Sequence, residues 1–183
     1  MEATGKVPKQ EHKKYDYYAF ISYKHAKDDT NKFVADEKWA HILKQQLELW
    51  HIPTQVPEEK RLNKNDKRIY PVFRDAENYP SGQLDELTCD RLSKCKTLVV
   101  VLSKEMLDDQ IKLRYKEQDQ TAFVFEEIEK FIKLGNTKDS IVIFYVGDDG
   151  INPNELLKEK IDLCKLNNWD CKALEYLYKP GEI

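Results

Sequence analysis

The 183-residue chain has no apolar run approaching the roughly 18 consecutive residues that a membrane span requires, so a transmembrane helix is excluded. Its first residues, Met1 to Glu11, lack the apolar core of a secretory signal, and the expected compartment is the cytoplasm. Cysteine is sparse: Cys89, Cys95, Cys164 and Cys171 show none of the gaps of about two to four residues that a zinc clip uses. They read as reduced thiols packed as small apolar groups. His12, His25, His41 and His51 likewise show no ligand spacing, and no metal is expected. Net charge of one sign is nearly absent, at -3, which gives no sign of a nucleic-acid partner.

Charged residues at 34% and hydrophobic residues at 40% make a globular composition with a heavily solvated surface. The length suits one domain that buries its own core without disulfide or metal staples. Residues 1–14 are polar and without periodicity, the pattern of a flexible arm; one domain is expected over 15–178, with 179–183 as a tail. Tyr15 to Ser22 is apolar at nearly consecutive positions, as in a strand covered on both faces. A helix is expected from Asp36 to Trp50, with a stripe of Trp39, Leu43, Leu47 and Trp50, stopped by Pro53 and Pro57. The charged stretch from Glu58 to Arg68 reads as a solvated connection, with a docking patch as the other reading.

Ile69 to Phe73 is a short second strand, and after the turn signal at Pro80-Ser-Gly82 a stripe of Leu84, Leu87, Arg91 and Leu92 predicts a helix facing the sheet. Thr97 to Leu102 is the best candidate for a central parallel strand. Lys104 to Gln120 shows no clear pattern. Val124, Ile128, Phe131 and Ile132 repeat at helical spacing up to a cap at Gly135. Ser140 to Val146 is a fourth strand, and Pro153 suits the first turn of a helix running to about Cys164. Trp169 to Leu177 fits either a fifth strand or a last helix. The alternation of strand and helix predicts an α/β sandwich around a four- to five-stranded parallel sheet, of the flavodoxin-like kind. In such folds ligands bind beyond the carboxyl ends of the strands. That edge would gather Ser22 to Lys24, Arg74 to Asn78, and Ser103.

Three segments in order, Tyr15-Asp-Tyr-Tyr-Ala-Phe-Ile-Ser-Tyr23, Pro71-Val-Phe-Arg-Asp-Ala-Glu-Asn-Tyr-Pro-Ser-Gly82 and Thr97-Leu-Val-Val-Val-Leu-Ser103, resemble the Toll/interleukin-1 receptor (TIR) domain family. The likeness runs from about residue 15 to about 146. In that family the pieces are the opening strand, the second strand with its Arg-Asp-containing loop, and a central strand ending in Ser. Some TIR domains cleave the nicotinamide–ribose bond of NAD; others only associate with one another or with adaptor domains. The enzymes' catalytic residue is a Glu four positions after a Trp on the helix following the third strand. Phe123-Val-Phe-Glu-Glu127 is the matching run, which makes Glu127 the match and puts Phe123 where the family usually has Trp.

Residues four apart share a helix face, so Phe123 and Glu127 would project together, while the adjacent Glu126 lies about 100° around the helix. A ring beside a carboxylate suits this chemistry: the ring packs on a flat heterocycle, and the anion holds ribose hydroxyls or stabilises an oxocarbenium-like transition state. An ordinary solvated helix carboxylate is the bland alternative. Tyr23, Phe73, Arg74, Asp75 and Ser103 are the other substrate-binding candidates. Arg74 would meet a pyrophosphate or pair with Asp75, and Ser103 would donate to a ligand or cap the following helix.

The resemblance implies an enzyme that consumes NAD as substrate, without a resident cofactor, giving nicotinamide and ADP-ribose or a cyclic or conjugated derivative. It further implies self-association through the loop that holds Asp75, Pro80 and Gly82, a separate effector reading the product, and a prokaryotic antiphage role. The competing expectation is a non-catalytic TIR scaffold. A phosphoacceptor receiver domain needs an Asp where Ser103 stands, and a nucleoside deoxyribosyltransferase would cleave a related N-glycosidic bond.

Overall fold

Apolar runs and helical stripes assemble here into a doubly wound α/β fold around one parallel sheet. The computed structural model describes residues 15–24, 35–74, 86–116, 121–147 and 150–180. In chain order these form β1 (Tyr17–Ser22), α1 (Ala35–Leu49), β2 (Val72–Arg74), α2 (Glu86–Ser93), β3 (Cys95–Leu102), α3 (Lys104–Tyr115), α4 (Phe123–Lys133), β4 (Ile141–Tyr145), α5 (Pro153–Leu166) and α6 (Lys172–Leu177). The strand order is β2-β1-β3-β4, every neighbouring pair parallel, with four strands among the described residues. This is the flavodoxin-like order up to its fourth strand.

Register sets which side chains share a face. Phe20 lies opposite Phe73 and Leu98, while Ile21 lies opposite Arg74 and Val99. Because alternate residues point to opposite faces, Ala19, Ile21 and Tyr23 join Val72, Val99 and Val101 beneath α1. Phe20, Leu98, Val100 and Leu102 face the larger core built with α2 to α6. The last five residues of β3 are all buried, which explains why that strand was the plainest in the sequence.

Helix boundaries follow local chemistry. Asn152 caps α5 by accepting from the Asn154 amide at 2.8 Å, with Pro153 in the first turn. Past α4, Gly135 adopts φ +87°, and its amide donates to Ile132 O. A side chain there would meet no steric obstacle, so backbone conformation is what favours glycine at that position. Trp169 to Leu177 contributes a helix, α6, and Lys104 to Tyr115 forms α3.

Several expectations need correction. In α1 it is Ala40, Leu43 and Leu47 that meet the sheet, whereas Trp39 lies at the rim against Phe144 and Trp50 is exposed beyond the helix end. Ala40 and Asp36 lead this face, and a residue next to the stripe turns about 100° away from it. In α2, Thr88 and Leu92 are buried while Leu87 is exposed, for the same reason. Leu84 lies outside the described residues. The second strand begins at Val72 rather than Ile69, because Pro71 has no amide to donate to a ladder. The charged stretch after α1 is a mostly exposed connection, as expected, and is organised around Asp66, which accepts from Tyr18 Oη at 2.8 Å and from the Asn63 amide at 2.9 Å. None of the four cysteines is in a disulfide; Cys95 and Cys164 are buried, and Cys89 and Cys171 are half-buried. Among the described residues no helix is long and apolar enough to cross a membrane, and no three His, Cys, Asp or Glu side chains gather to hold a metal ion.

Candidate functional site

The C-terminal ends of β1 and β3 bring two serines to one edge of the sheet. Ser22 ends β1 on the same face as Phe20, towards α4. Its Oγ donates to Glu127 Oε2 at 2.5 Å, a contact between residues 105 apart in the chain. Glu127 is 2% exposed and Ser22 1%, so this carboxylate is held away from bulk water. A buried carboxylate requires hydrogen-bond donors, and a serine hydroxyl at the strand end supplies one in a fixed direction.

The helix that carries Glu127 is positioned by α3. Its N-cap residue, Ala122, has no side-chain acceptor for the first-turn amides. Gln110, 3% exposed on α3, fills that role: its Oε1 accepts from the Val124 amide at 2.9 Å. Four residues further along α3, Arg114 pairs with Glu129 at 2.6 Å and lies over the Phe125 ring. Val124, Phe125, Ile128 and Phe131 anchor the apolar side of α4 in the core, with Phe123 half-buried at its start. Glu126, the neighbouring carboxylate, is half-buried instead; burial raises its pKa, and the Arg114 charge opposes that rise.

A second pair sits on the α1 side. Ser103 caps α3, its Oγ accepting from the Met106 amide at 3.0 Å, and the same hydroxyl donates to Asp36 Oδ2 at 3.2 Å. Asp36 is 3% exposed at the start of α1. Burial raises its pKa, with the Ser103 hydrogen bond and the Lys24 charge acting the other way. Lys24 reaches Asp109 of α3 at 3.6 Å, tying the end of β1 to the same helix. Of the two roles open to Ser103, the cap is the one the geometry displays.

The remaining candidates divide between the faces. Tyr23 is buried beneath α1, and Arg74 lies over its ring with Nη1 3.4 Å from its hydroxyl and 3.9 Å from Glu37. Phe73 packs in the core against Phe20 and Tyr17, with the Arg91 guanidinium over its ring at 4.6 Å. Glu127 and Ser22 thus meet on the α4 side, Tyr23, Arg74, Ser103 and Asp36 stand on the α1 side, and Phe73 packs against the core. Asp75, Pro80 and Gly82 lie outside the described residues.

Sequence reasoning missed Ser22 as the partner of Glu127, Asp36 as a buried carboxyl, and Gln110 as the cap of α4. A hydroxyl ending an apolar strand, in phase with the buried Phe20, was a usable signal for the first. Gln110 lies in a stretch without visible periodicity, and no local signal marks it.

No protein-family model matches the chain, and no curated protein matches it. Among solved structures, the chain is similar to the TIR domains in the structure of the activated Roq1 resistosome directly recognizing the pathogen effector XopQ. The identity is 15% and the TM-score 0.43, covering 87% of this chain and 78% of that one.

Proposed function

We propose that this protein is a TIR-type enzyme that cleaves the bond between nicotinamide and ribose in NAD, with Glu127 as its catalytic carboxylate. The observation that supports this reading is the buried Glu127 carboxylate held by Ser22 at the C-terminal edge of the sheet. In this fold class that edge is where ligands bind.

The chemistry asks little of the chain beyond a well-placed anion. As the C1′–N bond breaks, its electron pair passes to the pyridinium nitrogen and nicotinamide departs neutral, so no general acid is needed. Positive charge builds on the ribose, and a carboxylate already fixed and desolvated stabilises that charge more than the ground state. Water then adds at C1′ and loses a proton, giving ADP-ribose; an internal nucleophile would give a cyclic product. Phe123, at the start of the same helix, offers a ring for the heterocycle. Arg74 offers a cation for the pyrophosphate.

The burial of Glu127 favours a second reading as well: a scaffold in which the Ser22–Glu127 pair only fastens α4 to the sheet. Nicotinamide release from NAD at high protein concentration separates the two. The enzyme reading expects release that disappears in Glu127→Ala with the far-UV dichroism unchanged. The scaffold reading expects assembly without turnover in either protein.

A further inference from the structure

On α3, Asp108, Ile111 and Lys112, with Lys116 at its C-cap, recur at helical spacing. Together with Leu163, Asn167 and Trp169 from the end of α5 and the turn after it, they line an open cleft of 590 Å³. That volume lies within the range of small-ligand sites, about 300–1,000 Å³. The cleft is built from α3 and α5, whereas Glu127 and its partner Ser22 belong to α4 and β1.

The chemistry of this lining is specific. The Trp169 ring stacks on Tyr115 with centroids 4.8 Å apart and planes 5° from parallel. Tyr115 in turn donates its hydroxyl to Asp170 O, and the Trp169 amide donates to Cys164 O at 2.9 Å. The indole is therefore oriented before any ligand arrives, so little rotamer freedom remains to be lost on binding. Ile111 and Leu163 supply apolar wall.

Among the described residues, the rim carries two lysines. Lys112 and Lys116 stand one turn apart with exposed side chains. The lining carboxylate, Asp108, forms a 2.8 Å ion pair with the buried Lys160, and Asp170 beside the indole pairs with Lys172 at 3.6 Å. Asn167 donates its Nδ2 to Leu163 O at 2.8 Å, and an amide of this kind keeps acceptor capacity at its Oδ1. An aromatic platform, an amide acceptor and paired ammonium groups match a flat nitrogen heterocycle that carries phosphate.

We propose that this cleft binds a free nucleotide, its base on Trp169 and its phosphates at Lys112 and Lys116. A nucleic-acid strand is the weaker match, because the chain as a whole carries a net charge of -3 and a strand is held mainly through many phosphate contacts.

The test is titration calorimetry of the full chain with ADP at low ionic strength, beside adenosine, pyrophosphate and a short single-stranded oligonucleotide. The expected result is saturable ADP binding, retained in Glu127→Gln. It should weaken about tenfold or more in Trp169→Leu and persist in Trp169→Phe. Lys112→Ala with Lys116→Ala should weaken ADP while sparing adenosine and should flatten the salt dependence. The lysine changes are at the surface, so they read the site even where Trp169→Leu fails to fold. Absence of ADP binding, ADP binding indifferent to both sets of changes, or ADP binding lost only in Glu127→Gln would overturn the proposal. Pyrophosphate bound as tightly as ADP, or an oligonucleotide bound in preference to it, would overturn it as well.

Discussion

At one edge of the sheet Ser22 donates to Glu127 on the α4 side, and Ser103 donates to Asp36 on the α1 side. Both carboxylates are almost fully buried, at 2% and 3% exposure. Ser103, however, also accepts the Met106 amide, so its hydroxyl belongs to the cap of α3 and Asp36 extends that cap to α1. Ser22 ends a strand, and neither of the two described residues after it is helical. A buried Ser–carboxylate pair is therefore not functional by itself. A pair whose serine already serves a helix end is explained by structure, and the pair with no such duty is the one to test for chemistry.

Among changes to the hydrogen-bonding partners, the largest effect that separates the pairs is expected from Ser22→Ala. A hydrogen bond to a charged group contributes about 1.5–3 kcal/mol, so nicotinamide release should fall by about 10- to 100-fold in a protein with native dichroism. Gln110→Met should come next, because the Val124 amide then loses its acceptor inside the core. A loss of about 2 kcal/mol is expected in urea unfolding, and Gln110→Glu, which keeps an acceptor oxygen, should recover part of it. Ser103→Ala should cost about 1 kcal/mol of stability, as lost caps do, while turnover by the intact protein stays near wild type.

The smallest effect is the pH dependence contributed by Asp36. Its folded pKa lies above the ordinary 3.8, so the folded state binds the proton more tightly than the unfolded state does. The favourable contribution is fully present below 3.8 and is lost as pH rises through the raised folded value. Asp36→Asn removes this titration and still accepts from Ser103. The variant should therefore melt slightly above wild type at neutral pH, with the gain disappearing below the ordinary carboxylate range. A gain that grows on acidification would mean that the Lys24 and Ser103 contacts outweigh burial.

Elements with strong periodicity or long apolar runs were legible in the sequence. β3 and α4 stand where Thr97–Leu102 and the Val124, Ile128, Phe131 stripe put them, because burial dictates those residue types directly. Separation of Glu127 from Glu126 around the helix was legible too, since it follows from helix geometry alone. The contact between Ser22 and Glu127 was not, because it joins residues 105 apart and depends on how α4 docks. Polar positions that satisfy another element's backbone, such as Gln110, leave no periodic trace. Aromatics misled for a related reason: Trp39 and Trp50 bury well in principle, yet the small Ala40 leads the face that approaches the sheet.

The most direct measurement is nicotinamide release from NAD by the wild-type protein, Glu127→Gln and Asp36→Asn, assayed side by side at equal concentration with folding verified. Removing an electrostatic stabiliser of a transition state typically lowers kcat by about 10²–10³. That loss is expected in Glu127→Gln, with Asp36→Asn near wild type. Wild-type turnover left unchanged by Glu127→Gln, or no release from an assembled wild-type protein, would contradict the catalytic reading of the Ser22–Glu127 pair.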